Sequence, residues 1–343
     1  MSSERAKLSH EERTSAEPRQ QGLHLVNIAK IEEINPDIRL LKLSTSLISS
    51  NPSQHRHTQD SRTFSCDTNS CTSQFLPGQW LDVFIPGVPK AGGFTITSTP
   101  SLAQPATAAA RSSPNQHVIA PPPPEVSPPL IELAIQRSAN PPAQWIWRAR
   151  EADRTQLAVR VGGSFVWPPP VPAPKKLLFV AGGVGINPLI SIVTHLHETN
   201  PLPDLCTRFV YATKAPATGA VLFLDRLLRV AALAPNTFEL TLCMTGQAEH
   251  VERVEAQVRQ AGLRNVEVLR RRVEKRDVLA LVGARHEQDS GVVTGNVAAE
   301  VMEERRRTVA YVCGPQLMTD EFVEVLEGVE GLEKERVLCE KWW

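Results

Sequence analysis

A glycine-rich stretch in the second half of the chain has the residue types of a phosphate-binding turn. The apolar segment 176–181 leads directly into Gly182, Gly183 and Gly185, and a helix is predicted from Pro188. Glycine permits a tight turn and a close approach of a phosphate, and the free N–H groups of a helix start favour an anion. The dinucleotide pattern G-x-G-x-x-G is met only in part, and the acidic ribose partner is missing. Nucleotide binding and a purely structural turn both stay open on this motif alone.

A second candidate is the cysteine that ends another apolar segment. Residues 308–312 predict a buried strand, which Cys313-Gly314-Pro315 follow. In an open parallel sheet, ligands bind beyond the carboxyl ends of the strands, so one cleft could hold both Cys313 and the glycine turn. A thiol there can pack against a flat ring as a small, soft group. The alternative is an ordinary core position, because cysteine is among the most buried residue types.

The elements that must position these motifs predict two domains of different class. The second half alternates short apolar strands with helices, which is typical of a parallel sheet covered by helices on both faces. The first half gives several short strands separated by turn signals, which favours a small antiparallel barrel. The predicted fold is therefore an antiparallel β-barrel followed by an α/β parallel-sheet domain. The proline-rich stretch 168–174 marks the boundary as a stiff linker.

The predicted barrel spans residues 23–170, and the α/β domain spans 171–343. The polar N-terminus, 1–22, is expected to be disordered. Two stretches of low complexity, 49–74 and 101–129, are interpreted as insertions within the barrel.

Composition argues against several classes of protein. Basic and acidic residues number 37 each, so the neutral chain lacks the signature of a general nucleic-acid binder. No apolar run is long enough to predict a membrane span, and a secretory signal is not expected because the first residues lack an apolar stretch. Six scattered cysteines suit reduced thiols, so an intracellular location, cytoplasmic or mitochondrial, is expected. Cys66 and Cys71 have the first spacing of an iron–sulfur motif, but Gln74 stands where the next ligand would be, and no metal is predicted.

Four features in fixed order carry a resemblance to a known superfamily. They are Phe94-Thr95, the turn at 182–188, Cys313-Gly314-Pro315 and an aromatic C-terminus. Together they resemble the ferredoxin–NADP reductase superfamily, and the stretches 92–100, 140–145, 161–165 and 339–343 are similar to the oxidoreductase NAD-binding domain-containing proteins. The resemblance implies a flavin-binding FR-type barrel followed by a nicotinamide-binding domain.

The resemblance assigns flavin contacts to one barrel strand. Phe94 would pack on the isoalloxazine ring, and Thr95 would reach its polar edge with Thr97 nearby. An ordinary barrel-core position is the alternative for Phe94.

The phosphate contacts of the superfamily are where this chain departs from the pattern. The arginine that neutralises the pyrophosphate falls at Gly92, so it is missing. The segment that gives backbone N–H groups corresponds to 141–144, where two prolines remove two donors. Arg137 is a candidate for the lost charge. FAD is expected in preference to FMN, and these departures leave that choice open.

The second domain is expected to hold the nicotinamide nucleotide. Cys313, with Gly314 and Pro315, would lie beside the nicotinamide. The pyrophosphate would be held by Gly182, Gly183, Val184, Gly185, Ile186 and Asn187. NAD is preferred because Thr245-Gly246 stands where NADP users often place serine and arginine, although Lys214 leaves NADP open.

Two tryptophans end the chain, which is unusual because large apolar groups at a fraying terminus would be exposed. In the superfamily a C-terminal aromatic stacks on the flavin where the nicotinamide must go. Trp343, or Trp342, would form such a lid; an anchor into the core is the alternative.

These features predict an enzyme, a flavin-dependent oxidoreductase that passes hydride from NAD(P)H to flavin. The electrons would leave to a separate, unidentified acceptor. A non-catalytic nucleotide-binding or interaction protein with a degenerate flavin site is the alternative, and a reductase that uses flavin as a loosely held substrate is a third hypothesis.

Overall fold

The structure, a computed structural model, describes residues 8–44, 75–104, 129–199, 204–283 and 295–341. Most of the two predicted insertions lies outside these residues, as do Cys66, Cys71 and the two terminal tryptophans.

Six antiparallel strands form the first sheet. They are β1 (His24–Asn35), β2 (Ile38–Ser44), β3 (Trp80–Phe84), β4 (Gly92–Thr95), β5 (Leu130–Gln136) and β6 (Gln156–Gly162). Their order is β4-β3-β6-β1-β2-β5, and a bridge between Ile96 and Leu133 joins the two edges. The sheet closes on itself around an apolar interior that includes Leu81 and Val159, which confirms the predicted barrel.

The N-terminal segment 8–22 packs on the outside of this barrel, which corrects the expected disorder for these residues. Helix α1 (His10–Arg13) begins at a capping box. His10 and Arg19 both bind the fully buried Asp82, at 3.2 and 2.9 Å. The polar composition of the segment suggested disorder, but a buried carboxylate on β3 gives it a charged anchor.

The second sheet has six parallel strands. They are β7 (Lys176–Gly182), β8 (Cys206–Lys214), β9 (Phe238–Thr245), β10 (Val266–Leu269), β11 (Thr308–Cys313) and β12 (Val337–Glu340). Their order is β10-β9-β8-β7-β11-β12, so the order reverses between β7 and β11. Both strands are buried throughout, because helices cover both faces of the sheet at its centre. Ligands of such sheets bind at the carboxyl ends beside this reversal.

Helices cover the two faces of this sheet unequally. The helices of this domain are α3 (Ile186–Thr199), α4 (Leu224–Leu233), α5 (Ala248–Ala261), α6 (Lys275–Leu281), α7 (Gly295–Arg306) and α8 (Gln316–Glu327). Helix α2 (Pro141–Arg148) belongs to the barrel instead. Apolar residues of α3, α4 and α5 pack with Phe179 on one face, and those of α6 and α8 pack with Val180 on the other. Within the described residues, no helix is long and apolar enough to span a bilayer.

The barrel and the parallel sheet share a buried boundary. The Tyr311 hydroxyl donates to the Val166 carbonyl at 2.8 Å, and the rings of Phe165 and Tyr311 meet edge to face at 5.2 Å. Phe165 and Trp167 are part of the same apolar cluster as β7 and α3. The segment that follows β6 is therefore packed into the second domain.

Candidate functional site

The glycine turn and the Cys313 segment meet at the carboxyl ends of β7 and β11. A 3₁₀ turn, Gly183–Gly185, joins β7 to α3. A Cβ atom at Gly185 would overlap the carbonyl oxygen of Cys313, so only glycine lets the two backbones lie this close. Gly314 packs on Gly182 in the same way. The structure therefore brings together the two segments that the sequence singled out.

The start of α3 has the features of an anion site. Gly183 has a φ of +54°, and no atom lies within 4 Å of a Cβ placed on it. The backbone is thus open beside the start of a helix of 14 residues. The Ile186 N–H bonds to the Gly183 and Val184 carbonyls and Pro188 has no N–H, so an anion there would rely on the open turn and the positive end of the helix. Asn187 is buried, and its Nδ2 donates to the Ala134 carbonyl at 2.9 Å. Its Oδ1 has no hydrogen-bond partner in the part of the chain that the structure describes, so it can accept one more donor.

A buried thiol and a buried carboxyl group end neighbouring strands. Cys313 is fully buried and pairs in register with Glu340 of β12. Burial, together with the charge of Glu17, raises the pKa of the Glu340 carboxyl to about 8. This carboxyl is therefore mostly protonated at neutral pH and holds a proton at the end of β12.

The predicted flavin strand ends against the helix that begins at the glycine turn. Phe94 is half-buried and Thr95 is buried. Just after β4, the Ser98 carbonyl accepts a hydrogen bond from Ser191 Oγ of α3 at 2.8 Å. One end of the barrel strand and the start of α3 are thus fixed to each other.

Thr97 hydrogen-bonds to the buried carboxylate of an ion pair between the domains. Its Oγ1 donates to Glu132 Oε1 at 2.8 Å. Arg226 of α4 donates to both oxygens of the same carboxylate, at 2.7 and 2.8 Å. We call Thr97, Glu132 and Arg226 the interdomain clamp. The clamp accounts for the burial of Thr97, and the predicted flavin contact of that residue stays a prediction.

The structure does not place the charge of Arg137 at the start of α2. Its guanidinium stacks on Trp147, with 4.1 Å to the ring centroid, in the last turn of the helix. Trp343 lies outside the described residues, so its role as a lid also stays a prediction.

Sequence reasoning assigned no chemistry to Glu340 and missed Glu132 and Arg226 altogether. The one local signal for Glu340 is that it lies two residues before the terminal tryptophans. The clamp had none, because Glu132 and Arg226 are 94 positions apart and each is an ordinary charged residue in its own segment.

Solved structures define the class of the fold. The chain gives a TM-score of 0.55 with a ferredoxin NADP+ reductase from Neisseria gonorrhoeae with bound FAD and NADP, at 12% identity, covering 94% of this chain and 100% of that one. It gives 0.53 with the CS-b5R domains of human Ncb5or in the NAD+ form, at 14% identity, covering 94% and 70%. The chain therefore has a ferredoxin–NADP reductase-like fold, as its motifs predicted.

Curated relatives place the chain within this class. It is 31% identical over 282 residues to oxidoreductase NAD-binding domain-containing protein 1 of Danio rerio, covering 78% of this chain and 82% of the relative. Identity to the Homo sapiens protein of that name is 29% over 280 residues, covering 78% and 71%. No family model matches the sequence. The chain belongs to the family of oxidoreductase NAD-binding domain-containing protein 1, which confirms the resemblance found in the sequence.

Proposed function

We propose that this chain is an NAD(P)H-dependent flavin oxidoreductase. The observation that carries the proposal is the junction at the start of α3. The glycine turn packs on the Cys313 segment, and the same helix is hydrogen-bonded through Asn187 and Ser191 to the barrel. This arrangement supports two flat rings, one from each domain, that meet between the turn and β4.

The nicotinamide nucleotide fits the residues of the second domain. The open backbone at Gly183 and the helix start that follows would hold its diphosphate. Asn187 Oδ1, which is buried with no partner in the described residues, would accept a donor from a bound ligand. The Cys313 thiol would pack beside the nicotinamide and keep water from it.

A flavin ring fits the end of the barrel strand. The half-buried ring of Phe94 would stack on it, and the Thr95 hydroxyl would contact its polar edge. When both groups are bound, NAD(P)H supplies a hydride and the flavin accepts it. Glu340 would hold a proton near the reacting groups, because its carboxyl is mostly neutral at pH 7.

NAD is proposed in preference to NADP. The turn after β9, Thr245-Gly246, has no basic residue of its own. Lys214 borders this turn, with its Cγ 3.5 Å from a Cβ placed on Gly246. A single lysine is a point charge and recognises a 2′-phosphate less specifically than an arginine fork does. Lys214→Ala should therefore lower kcat/KM for NADPH and leave that for NADH unchanged.

The proposal is tested by adding a flavin to the purified chain and then NADH without oxygen. We expect flavin uptake, loss of the flavin's visible absorption and saturation with NADH. Cys313→Ala should lower kcat by at least about tenfold, because a shift of the rings by one atom's width is costly. Cys243→Ala is the matched control. It removes a buried thiol from β9, which lies three places from β11 in the sheet, and it should leave kcat unchanged.

The lid hypothesis has its own test. Deletion of Trp342 and Trp343 should strengthen NADH binding if they cover the nicotinamide position. Unchanged affinity with a lower melting temperature would show that they are only an anchor.

A non-catalytic nucleotide-binding protein is the second candidate. It is favoured by the way Pro142 and Phe94 cover Gly92, where the superfamily motif has an arginine. NADH binding without NADH oxidation, in the presence of any flavin, would identify this function.

A further inference from the structure

Two apolar side chains cover the backbone of Gly92. A Cβ atom on this residue would lie 2.5 Å from Phe94 Cε2 and 2.6 Å from Pro142 Cβ. A side chain at this position would therefore require Phe94 and Pro142 to move, and the arginine of the superfamily motif does not fit this arrangement. Carbon atoms, rather than hydrogen-bond donors, lie beside Gly92, the position of the arginine in that motif.

Helix α2 begins with few hydrogen-bond donors. Pro141 and Pro142 occupy its first two positions and have no N–H. The side chain of Asn140, at the N-cap, makes no capping hydrogen bond. Of the N–H groups at the first three helical positions, only that of Ala143 is left to face an anion. This helix start therefore lacks most of the N–H donors with which a helix N-terminus binds phosphate.

Three cations of the barrel are engaged away from the start of α2. Arg137 and Arg39 lie over the ring of Trp147, in the last turn of the helix. Lys90, two residues before Gly92 in the sequence, is exposed, and its Nζ lies 3.9 Å from the carboxylate of Glu12. Among the described residues, the start of α2 therefore lacks a built site for the phosphates of a flavin nucleotide.

We infer that the barrel binds flavin through its ring alone, so that free flavin is a substrate which enters and leaves. The inference rests on the proposed function and names the electron acceptor of that same site. The sequence analysis expects FAD as a bound cofactor. We infer instead that the flavin exchanges freely and that its phosphates and adenylate, where it has them, lie in water. Phe94 is half-buried and leaves part of its ring open to stack on such a substrate.

The reaction balances with NADH and free flavin as the two substrates. NADH loses a hydride from C4 of the nicotinamide and becomes NAD+. The flavin gains that hydride at N5 and one proton from solvent at N1. Reduced flavin is then the product that carries both electrons away, and no further acceptor has to dock on the chain.

Binding is the direct test. The full chain is titrated with riboflavin, FMN and FAD in the absence of NADH, and flavin fluorescence is followed. We expect the three dissociation constants to agree within about threefold, because only the shared ring is held. If the chain made hydrogen bonds to a phosphate, each would make FMN and FAD bind about tenfold or more tightly than riboflavin. That result would overturn the inference. It would leave the proposed function intact, whereas failure of all three flavins to bind would overturn both.

Turnover gives a second measurement. With excess NADH and excess riboflavin, and without oxygen, the amount of reduced riboflavin should exceed the amount of chain many times over. A single reduced flavin per chain that stays bound through gel filtration would contradict an exchanging substrate.

Two variants test the residues named. Pro141→Ala with Pro142→Ala restores two N–H donors and keeps the Cβ that covers Gly92. FMN and FAD should then bind about tenfold more tightly for each restored donor that reaches a phosphate, while riboflavin is unchanged. Equal affinities in this variant would show that the prolines do not exclude the phosphates. Lys90→Ala is the control: it should leave all three affinities unchanged, and a selective loss of FMN and FAD binding would reveal a phosphate contact and overturn the inference.

Discussion

Removing Arg226 from the interdomain clamp should destabilise the chain measurably. The Glu132 side chain is only 6% exposed. Among the described residues, Arg226→Met leaves its carboxylate with Thr97 as the one side-chain donor. Loss of one partner from a buried pair costs about 3 to 5 kcal/mol. The Arg226 side chain is 29% exposed, so water can reach part of the vacated space. We therefore expect a loss of about 2 to 3 kcal/mol.

Urea unfolding of matched variants measures this effect. Arg208→Met removes an ion pair with Glu239 whose partners are 33% and 53% exposed, and should cost less than about 1 kcal/mol. A cycle of Arg226→Met and Glu132→Gln should give a coupling free energy of about 2 kcal/mol. The reasoning is refuted if Arg226→Met costs no more than Arg208→Met. If the clamp also positions the two rings relative to each other, the Arg226→Lys variant should have a higher kcat than the Arg226→Met variant.

Three further predictions concern single residues. Gly185→Ala should lower stability by about 2 kcal/mol or more and abolish NADH binding, because the new Cβ overlaps the Cys313 carbonyl; a native melting curve would contradict this. The raised pKa of Glu340 means that its stabilisation is present below pH 4.5 and is lost as pH rises to about 8. Glu340→Gln should thus flatten urea stability between pH 5 and pH 9, and an unchanged pH profile would argue against a buried acid. Burial alone would raise the pKa of Asp82, but hydrogen bonds from His10, Arg160 and Arg19 lower it, so its stabilisation is lost as pH falls. Asp82→Asn should cost about 3 kcal/mol and expose the N-terminal segment to proteases, whereas unchanged proteolysis would contradict its role as an anchor.

The fold could be predicted because its central elements have strong local patterns. The strands β7 and β11 are apolar runs after their first residue. Glycine ends β7 and directly follows β11, and the predicted bounds of both strands are close to the observed ones. The strands β10 and β12 were not predicted. Each has only four residues, and its strand conformation depends on pairing with a neighbouring strand.

Part of the site could be predicted for the same reason. The glycine turn and Cys313 each follow a recognisable strand, and the carboxyl ends of parallel strands lie at one edge of a sheet. The clamp, the anchoring of 8–22 by Asp82 and the stacking of Arg137 on Trp147 depend on contacts between distant segments. A single sequence has no local signal for such pairs.

Stopped-flow mixing of the flavin-loaded chain with NADH, in the absence of oxygen, tests the central claim most directly. If hydride passes between rings held by the two domains, the flavin absorption should disappear at a rate that saturates with NADH. That rate should fall when C4 of the nicotinamide carries deuterium in place of the transferred hydrogen. Flavin that binds but keeps its absorption at every NADH concentration would contradict the account.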